Sequence, residues 1–340
     1  MLKRRIFLIP VFVITTLTFT YCTGKPELSR TEFALGTVCS VTLYDKGNPA
    51  IYRDIFSRLR EIENYMSVNL PDTDVARINA AAGVAPVQVH DDVFKVIQKA
   101  LYFAEISGGA FDPTVGPLVS LWGIGSENPR VPSQAEIDAA LSLINWRDVE
   151  LDKEQRSVFL RRPGMALDLG AIAKGYAADE AAVIIRKAGL KQAIIDLGGN
   201  ILVYGEKKDK SPWRVSVQDP LEDRGRSLGV ITGPEATMVT SGVYERFFEA
   251  DGQQYHHIFS PFNGYPADTG LLSVTIISKN SIDADALSTA VFVLGYEKGR
   301  ALIEPLEGTE AVFVFNDQSV RKTEGANLKI NNNSYILIPD

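Results

Sequence analysis

The sequence predicts an α+β fold with a mainly antiparallel sheet as its core and helices on its flanks. Residues 193–278 consist of short strand-like segments separated by brief turns, a pattern typical of antiparallel strands. Most segments with helical periodicity come before them. No repeat, low-complexity tract or Pro/Ser-rich linker interrupts the chain. We therefore expect a single catalytic-type domain over residues 33–340.

The helices are predicted from apolar residues that share one helical face and from signals at the helix ends. A helix over residues 51–66 has this spacing, and a second, over residues 91–107, ends at a glycine pair. Ser133 and Glu136 form a capping-box pattern at the start of a third. A fourth helix is expected from about Ala171. Strands are expected over residues 33–44, in a hairpin over 147–160, and in "QAIIDLGGNILVYG", "WRVSVQD", "SLGVITG", "ATMVTSG", "YERFFEA", "YHHIFSP", "LLSVTIIS", "TEAVFVFN" and "SYILI".

The first residues have the pattern of an export signal. "MLKRR" is positively charged, and the apolar run after it is too short to span a membrane. We expect a signal peptide over residues 1–21. Cys22 lies at the junction, as does the acylated cysteine of bacterial lipoproteins, and residues 22–32 would be a polar tether. The protein would then be exported and lipid-anchored on the periplasmic side of a membrane; a cleaved soluble form and an uncleaved anchor are the alternatives.

Charge and cysteine content limit the remaining possibilities. The formal charge is −7, from 35 basic and 42 acidic residues, and no basic stripe indicates a nucleic-acid partner. Cys39 is the only cysteine besides Cys22, and the alternating pattern around it predicts a buried position in a strand.

The stretch "SIDADALSTA" (residues 281–290) indicates a metal site. Asp283 is expected to cap a helix. Asp285 lies one turn before Thr289, so a carboxylate and a hydroxyl share one helical face. Both are hard oxygen ligands of the kind that bind Mg²⁺ or Ca²⁺. The alternative is a second capping carboxylate beside a core threonine.

Two further segments carry groups suited to catalysis. In "LDLGAIAKG" a tight turn leads into a helix whose first amides, with Lys174, could bind phosphate. The alternative is that Lys174 is a solvated side chain on the surface of the helix. In "YHHIFSP", His256 and His257 point to opposite faces of a strand, so one of them could face a site. A catalytic and a structural role both remain open. The chain has no zinc-finger spacing, Walker loop, dinucleotide fingerprint or G-x-S-x-G elbow.

Nine blocks occur in order along the chain: "LGT", "MSVN", "GGAFDPTVGPLVSLWG", "LDLGAIAKGYAAD", "DLGGNI", "WRVSVQDP", "TSGVYERFF", "YHHIFSPFNGYP" and "DADALSTAVFVLG". Together they make the sequence resemble the FAD:protein FMN transferase family, also called the ApbE family, over residues 31–315. Members are exported and often lipid-anchored; with Mg²⁺ they cleave FAD, release AMP and attach FMN to a threonine or serine of a target flavoprotein. The resemblance therefore implies FAD as substrate and an acceptor flavoprotein as partner, which we expect to be a subunit of a membrane redox complex.

The resemblance also implies roles for individual residues. Asp285 and Thr289 match the metal ligands, together with a main-chain carbonyl assigned to Ala171. His257 is the expected base, His256 the second choice, and Lys174 would stabilise phosphate charge. The expected contacts to FAD are Met66, Asn69, Asp112, Lys174, Gly198, Gly199, Asn200, Gln218, Asp219, Ser241, Gly242 and His257.

The chain departs from the family pattern in two blocks. Asn69 stands where a tyrosine is common, and "SPFNGYP" has Ser260 and Phe262 in place of aspartate and arginine. Two other functions therefore remain open. One is an FAD pyrophosphatase that gives FMN and AMP, and the other is an exported flavin-binding lipoprotein without turnover.

Overall fold

The computed structural model describes residues 29–45 and 48–339, and its elements confirm the α+β prediction. The predicted signal peptide and Cys22 lie outside the described residues. Within the described part of the chain the helices are α1 Pro49–Met66, α2 Asp74–Ala80, α3 Asp91–Ile106, α4 Gly116–Trp122, α5 Gln134–Leu141, α6 Ala173–Lys187 and α7 Ser281–Ile303, with a short 3-10 turn at Trp146–Asp148. The strands are β1 Ser29–Ala34, β2 Thr37–Leu43, β3 Val87–Gln88, β4 Val149–Asp152, β5 Ser157–Leu160, β6 Ala193–Leu197, β7 Asn200–Tyr204, β8 Trp213–Gln218, β9 Ser227–Gly233, β10 Ala236–Gly242, β11 Phe247–Ala250, β12 Gln253–His256, β13 Leu271–Ser278, β14 Glu310–Phe315, β15 Ser319–Lys322, β16 Leu328–Ile330 and β17 Ile336–Leu337.

A nine-stranded sheet forms the centre of the fold, in the order β1-β2-β6-β7-β10-β13-β14-β15-β17. Its neighbouring strands are antiparallel except for β15 and β17. Three smaller sheets accompany it: β16-β9-β8, β3-β5-β4 and the hairpin β11-β12. None of the helices in the described ranges is long and apolar enough to cross a membrane.

The central sheet is buried on both faces. Because side chains alternate along a strand, the neighbours Met238 and Val239 of β10 belong to different cores. Val239 packs in the main core with α1, α3, α6 and α7. Met238 packs with Trp213 in a second core beneath β8, β9 and β16. A third core surrounds Trp122, between α4, α5 and the hairpin β11-β12.

The predicted strand over residues 33–44 is a hairpin instead. Leu35 and Gly36 form the turn between β1 and β2, with φ angles of 53° and 66°. A leucine rarely adopts a positive φ, so its side chain did not signal a turn. The predicted tether is also too long at its C-terminal end, because Ser29 already begins β1.

The prediction that Asp283 caps α7 is wrong. The helix begins at Ser281, which places Asp283 in its first turn, where it pairs with Lys99 Nζ at 2.9 Å. The free N–H groups of Ser281 and Ile282 donate to Asp179 of α6, each at 2.9 Å. The cap therefore comes from a different helix, which no local pattern could reveal.

Candidate active site

The crossing of α6 and α7 builds the candidate metal centre. The backbone N–H of Gly175 donates to Asp285 Oδ2 at 2.8 Å, although the two residues are 110 positions apart. This N–H is one of the free amides at the start of α6, because the helix begins at Ala173 and its first internal bond runs from Tyr176 N to the Ile172 carbonyl. Asp285, which is 4% exposed, therefore caps α6. The Ala171 carbonyl, in the turn before the helix, has no donor among the described hydrogen bonds and is open to another ligand.

The close approach of the helices requires glycine at position 175. A Cβ atom there would lie 2.3 Å from the carbonyl oxygen of Ser281 and 2.7 Å from Ile282 Cα. Real contacts of this kind are much longer, so any larger residue would push the helices apart.

Thr289 lies on the same face of α7 as Asp285 and is half-buried. Its hydroxyl is 3.5 Å from Ser241 Oγ of β10, at the limit of a hydrogen bond. Ser241 is itself 2.8 Å from Ser288 Oγ, which donates to the Asp285 carbonyl at 2.9 Å. Ser241 therefore holds this turn of α7 and leaves the Thr289 hydroxyl largely uncommitted.

The second oxygen of Asp285 is also uncommitted. Its Oδ1 lies 3.8 Å from Lys174 Nζ, beyond hydrogen-bond distance. Lys174 instead donates to the Gly170 carbonyl at 3.0 Å. A carboxylate, a hydroxyl and a carbonyl oxygen with spare capacity fit a hard cation. Within residues 29–45 and 48–339 no group of three His, Cys, Asp or Glu side chains could hold a metal, so this centre would depend on one carboxylate.

The two histidines have different surroundings. His256 is buried: its Nε2 lies 3.2 Å from the Ala267 carbonyl, and its Nδ1 accepts from Ile258 N at 3.3 Å. Its ring also packs edge-on against Phe292. Both ring nitrogens of His256 are therefore engaged, which gives it a structural place rather than that of a free base.

His257 keeps one nitrogen free among the described hydrogen bonds. Its Nδ1 lies 3.2 Å from the Arg246 carbonyl. Burial, with the nearby Arg246 and Lys174 cations, lowers the pKa of His257 to about 3, so the ring is neutral at pH 7. The carbonyl assigns the single ring proton to Nδ1, and Nε2 retains a lone pair.

Tight turns bring backbone close to these groups. Gly198 and Gly199 join β6 to β7 with φ angles of 65° and 94°. A Cβ at Gly198 would lie 2.2 Å from Thr37 Oγ1, so this turn packs directly on the β1–β2 hairpin. A Cβ at Gly242, at the end of β10, would lie 2.5 Å from the Tyr244 ring. At Gly199, by contrast, a Cβ would meet nothing within 4 Å, so a nucleotide has open space beside this glycine.

Other residues predicted to contact FAD have side chains already committed to the fold. Met66 is 4% exposed in the main core. Asp112 accepts from Thr114 N at 2.8 Å and from Trp146 N at 3.1 Å, which fixes its own loop. Asn69, by contrast, is exposed in the turn after α1.

Three polar residues in the strand region that were predicted to contact FAD also have side chains committed to the fold. Asn200 is fully buried and accepts from Ser281 Oγ at 2.6 Å. Gln218 bonds backbone atoms of the loop that follows it, and Asp219 accepts from Asn332 Nδ2 at 2.8 Å. We interpret these side chains as supports of the cleft, because sequence blocks do not distinguish residues that shape a site from residues that touch the ligand.

Sequence reasoning missed three charged residues beside the site. Arg246 lies 3.4 Å from the Gly36 carbonyl and holds His257 through its own carbonyl. Asp168 accepts from Gly170 N at 2.7 Å at the entrance to α6, and burial raises its pKa. Asp179 caps α7. Only Asp168 had a local signal, an aspartate two residues before a glycine, which is typical of a turn.

The chain is similar to known proteins over most of its length. The chain matches the ApbE family model over residues 35–313. It is 41% identical over 324 residues to the FAD:protein FMN transferase of Treponema pallidum (strain Nichols), covering 89% of this chain and 90% of the relative. It is 40% identical over 292 residues to the protein of that name from Klebsiella pneumoniae (strain 342), with coverage of 86% and 90%.

Solved structures are similar as well. The crystal structure of the ApbE protein from Thermotoga maritima superposes with a TM-score of 0.78 at 36% identity, covering 89% of this chain and 96% of that one. The apo form of flavinyl transferase ApbE from Pseudomonas stutzeri gives 0.76 at 30% identity, with coverage of 87% and 94%. The family match spans most of the chain and two relatives exceed 30% identity, so this protein belongs to the ApbE family.

Proposed function

We propose that this protein transfers FMN from FAD to a threonine or serine hydroxyl of an acceptor flavoprotein and releases AMP, with Mg²⁺ as cofactor. Its relatives from Treponema pallidum and Klebsiella pneumoniae carry the name FAD:protein FMN transferase. The observation that carries the proposal is the bond from Gly175 N to Asp285 Oδ2, because it holds a buried carboxylate against the start of α6 and leaves the second oxygen of that carboxylate open.

Asp285, Thr289 and the Ala171 carbonyl would hold the Mg²⁺. When bound, the ion would supply positive charge to the diphosphate of FAD and to the departing AMP. Lys174 adds a second positive charge at the start of α6, since its ammonium lies 3.8 Å from Asp285. The open space beside Gly199 would admit the nucleotide.

His257 would act as the base. Its free Nε2 takes the proton of the acceptor hydroxyl, and the hydroxyl oxygen forms a bond to the phosphorus on the flavin side. The bond from that phosphorus to the bridging oxygen breaks, and AMP leaves with that oxygen. The neutral state of His257 supports this role, since only an unprotonated imidazole can accept the proton.

The test combines FAD, Mg²⁺ and a candidate acceptor, and follows acceptor mass and free AMP together. Asp285→Ala should lower the rate of AMP release on the order of 10²–10³-fold, as loss of one placed electrostatic group typically does. Asp283→Ala is the matched control, because it changes a carboxylate in the same helix that pairs with Lys99 instead. A folded Asp285→Ala protein with wild-type turnover would contradict the assignment.

An FAD pyrophosphatase is the second candidate, with water in place of the acceptor hydroxyl. Asn69 favours it: the residue is exposed and offers no aromatic ring on which adenine could stack. AMP release at the same rate with and without acceptor, and no gain in acceptor mass, would support hydrolysis. Tight FAD binding without AMP release would support the flavin-binding lipoprotein instead.

We also propose that the protein is exported, anchored through a lipid on Cys22, and acts on a subunit of a redox complex in the same membrane. The sequence of residues 1–22 supports this, with its basic start, short apolar core and cysteine. The native protein should partition into detergent, and Cys22→Ser should move it to the aqueous phase. Equal partitioning of both forms would remove the lipid anchor from the proposal.

A further inference from the structure

Asp179 attaches the start of α7 to α6. Its Oδ1 accepts from Ser281 N and its Oδ2 from Ile282 N, both at 2.9 Å. These are two of the free N–H groups that every helix leaves at its N-terminus. Asn280, the residue in the N-cap position, makes no such bond with its own side chain. The side chain of Asp179 in α6 therefore caps the N-terminus of α7 with both of its carboxylate oxygens.

The sheet holds the same residue from the opposite side. Ser281 Oγ donates to Asn200 Oδ1 of β7 at 2.6 Å and accepts from Thr237 Oγ1 of β10 at 3.1 Å. Ser281 is completely buried. The start of α7 is therefore fixed to α6, β7 and β10 at once.

The Asp179 contact and the Gly175–Asp285 contact lie one helical turn apart on both helices. Along α6 the order is Gly175 and then Asp179; along α7 it is Ser281 and then Asp285. The two helices hence run antiparallel here, joined at two points separated by about 5–6 Å along their axes. Two such contacts hold the axial position and the crossing angle of the helices together, whereas one contact alone would let the helices pivot about it.

An ionised carboxylate at position 179 does not favour the stability of the fold by itself. Burial raises the pKa of Asp179 to about 6, and the neighbouring charges of Asp283 and Glu180 act in the same direction. Folding is therefore less favourable when Asp179 is ionised than when it is protonated. Its two backbone bonds recover part of that loss and also determine the position of α7.

We propose that Asp179 is a positioning residue for the metal centre: it sets the axial register of α7 against α6, so that Asp285 and Thr289 meet the Ala171 carbonyl. This inference rests on the proposed function, which assigns those three groups to Mg²⁺. Among the described hydrogen bonds, Asp179 bonds Ser281 and Ile282 of α7 and none of those three groups.

The test separates metal affinity from turnover. Calorimetric titration with Mg²⁺ alone and the Mg²⁺ dependence of AMP release are measured for wild type, Asp179→Ala and Asp179→Asn. Asp179→Ala should weaken Mg²⁺ binding about tenfold, the effect expected for one charge-assisted interaction, and raise the half-saturating Mg²⁺ concentration equally. At saturating Mg²⁺, kcat should return to within about threefold of wild type, because no reacting group has been removed.

Asp179→Asn keeps the shape of the side chain and one acceptor oxygen, so its Mg²⁺ affinity should lie between those of wild type and Asp179→Ala. It also provides the measurement if Asp179→Ala does not fold. Asp283→Ala, in the same turn of α7 but outside the cap, should leave Mg²⁺ affinity within about twofold. Asp179 variants that lower the melting temperature but retain wild-type Mg²⁺ affinity would overturn the inference. Absence of Mg²⁺ binding by the wild type would instead overturn the proposed metal site.

Discussion

Gly175→Ala tests the contact between α6 and α7 most directly. The added Cβ would lie 2.3 Å from the Ser281 carbonyl oxygen and 2.7 Å from Ile282 Cα, whereas ordinary contact begins at 3.4 Å. The obstructing atoms are backbone and cannot rotate away. The helices must therefore separate locally by about 1 Å, which also lengthens the bond from residue 175 to Asp285.

The expected loss follows from two opposing effects. Overpacking in a core costs about 1–3 kcal/mol, while alanine gains up to about 1 kcal/mol of helix propensity over glycine. The net destabilisation should be about 1–2 kcal/mol, and in a chain of this size that lowers Tm by about 1–3 °C. Mg²⁺ affinity should fall as well, because the metal centre spans the separated helices.

The assay pairs thermal melts with Mg²⁺ titration, and Gly233→Ala serves as control. Nothing lies within 4 Å of a Cβ added at Gly233, so this variant should melt close to wild type. If Gly175→Ala also melted within 1 °C of wild type, about the smallest shift to be expected for a contact of this kind, and bound Mg²⁺ normally, the close approach of the two helices would be refuted.

Three further predictions each concern a single residue. Burial lowers the pKa of His257 from its ordinary value of 6.5 to about 3, so the free energy of unfolding should fall as pH drops below 6.5. In urea titrations, His257→Gln should lose about 1 kcal/mol less than wild type between pH 7.5 and 5.5. Gly198→Ala should lower Tm more than Gly199→Ala, because only at 198 would the Cβ meet Thr37, at 2.2 Å; equal shifts would argue against that contact. Burial raises the pKa of Cys39 to about 11, so alkylation at pH 8 should modify the Cys39 peptide only after unfolding, and rapid labelling of the native protein would contradict its buried position.

Features that depend on neighbouring residues could be predicted from the sequence. The capping box of Ser133 and Glu136 is present as expected, because both partners lie within one helical turn. Cys39 is fully buried, as its alternating surroundings indicated. The shared helical face of Asp285 and Thr289 follows from their spacing in the same way.

Features that depend on long-range contacts could not be predicted from the sequence. The cap of α7 comes from Asp179, 102 positions away, and nothing around Asp283 distinguishes it from a capping residue. The turn at Leu35 was hidden because leucine seldom takes a positive φ. The family resemblance named Asp112 and Asp219 together with Asp285, and only the structure separates carboxylates that hold loops from the one that leaves an oxygen free.

Asp285 serves the start of α6 and the candidate metal centre with the two oxygens of one carboxylate. Its Oδ2 accepts from Gly175 N, one of the amides of α6 that have no partner within the helix, while Oδ1 stays open to a cation. A side chain at position 285 that accepts no hydrogen bond would leave this buried amide unpaired. Substitution by alanine thus removes a metal ligand and a helix cap together, whereas asparagine, which can still accept from Gly175, removes only the charge. One carboxylate therefore couples the stability of the helix start to the binding of the ion.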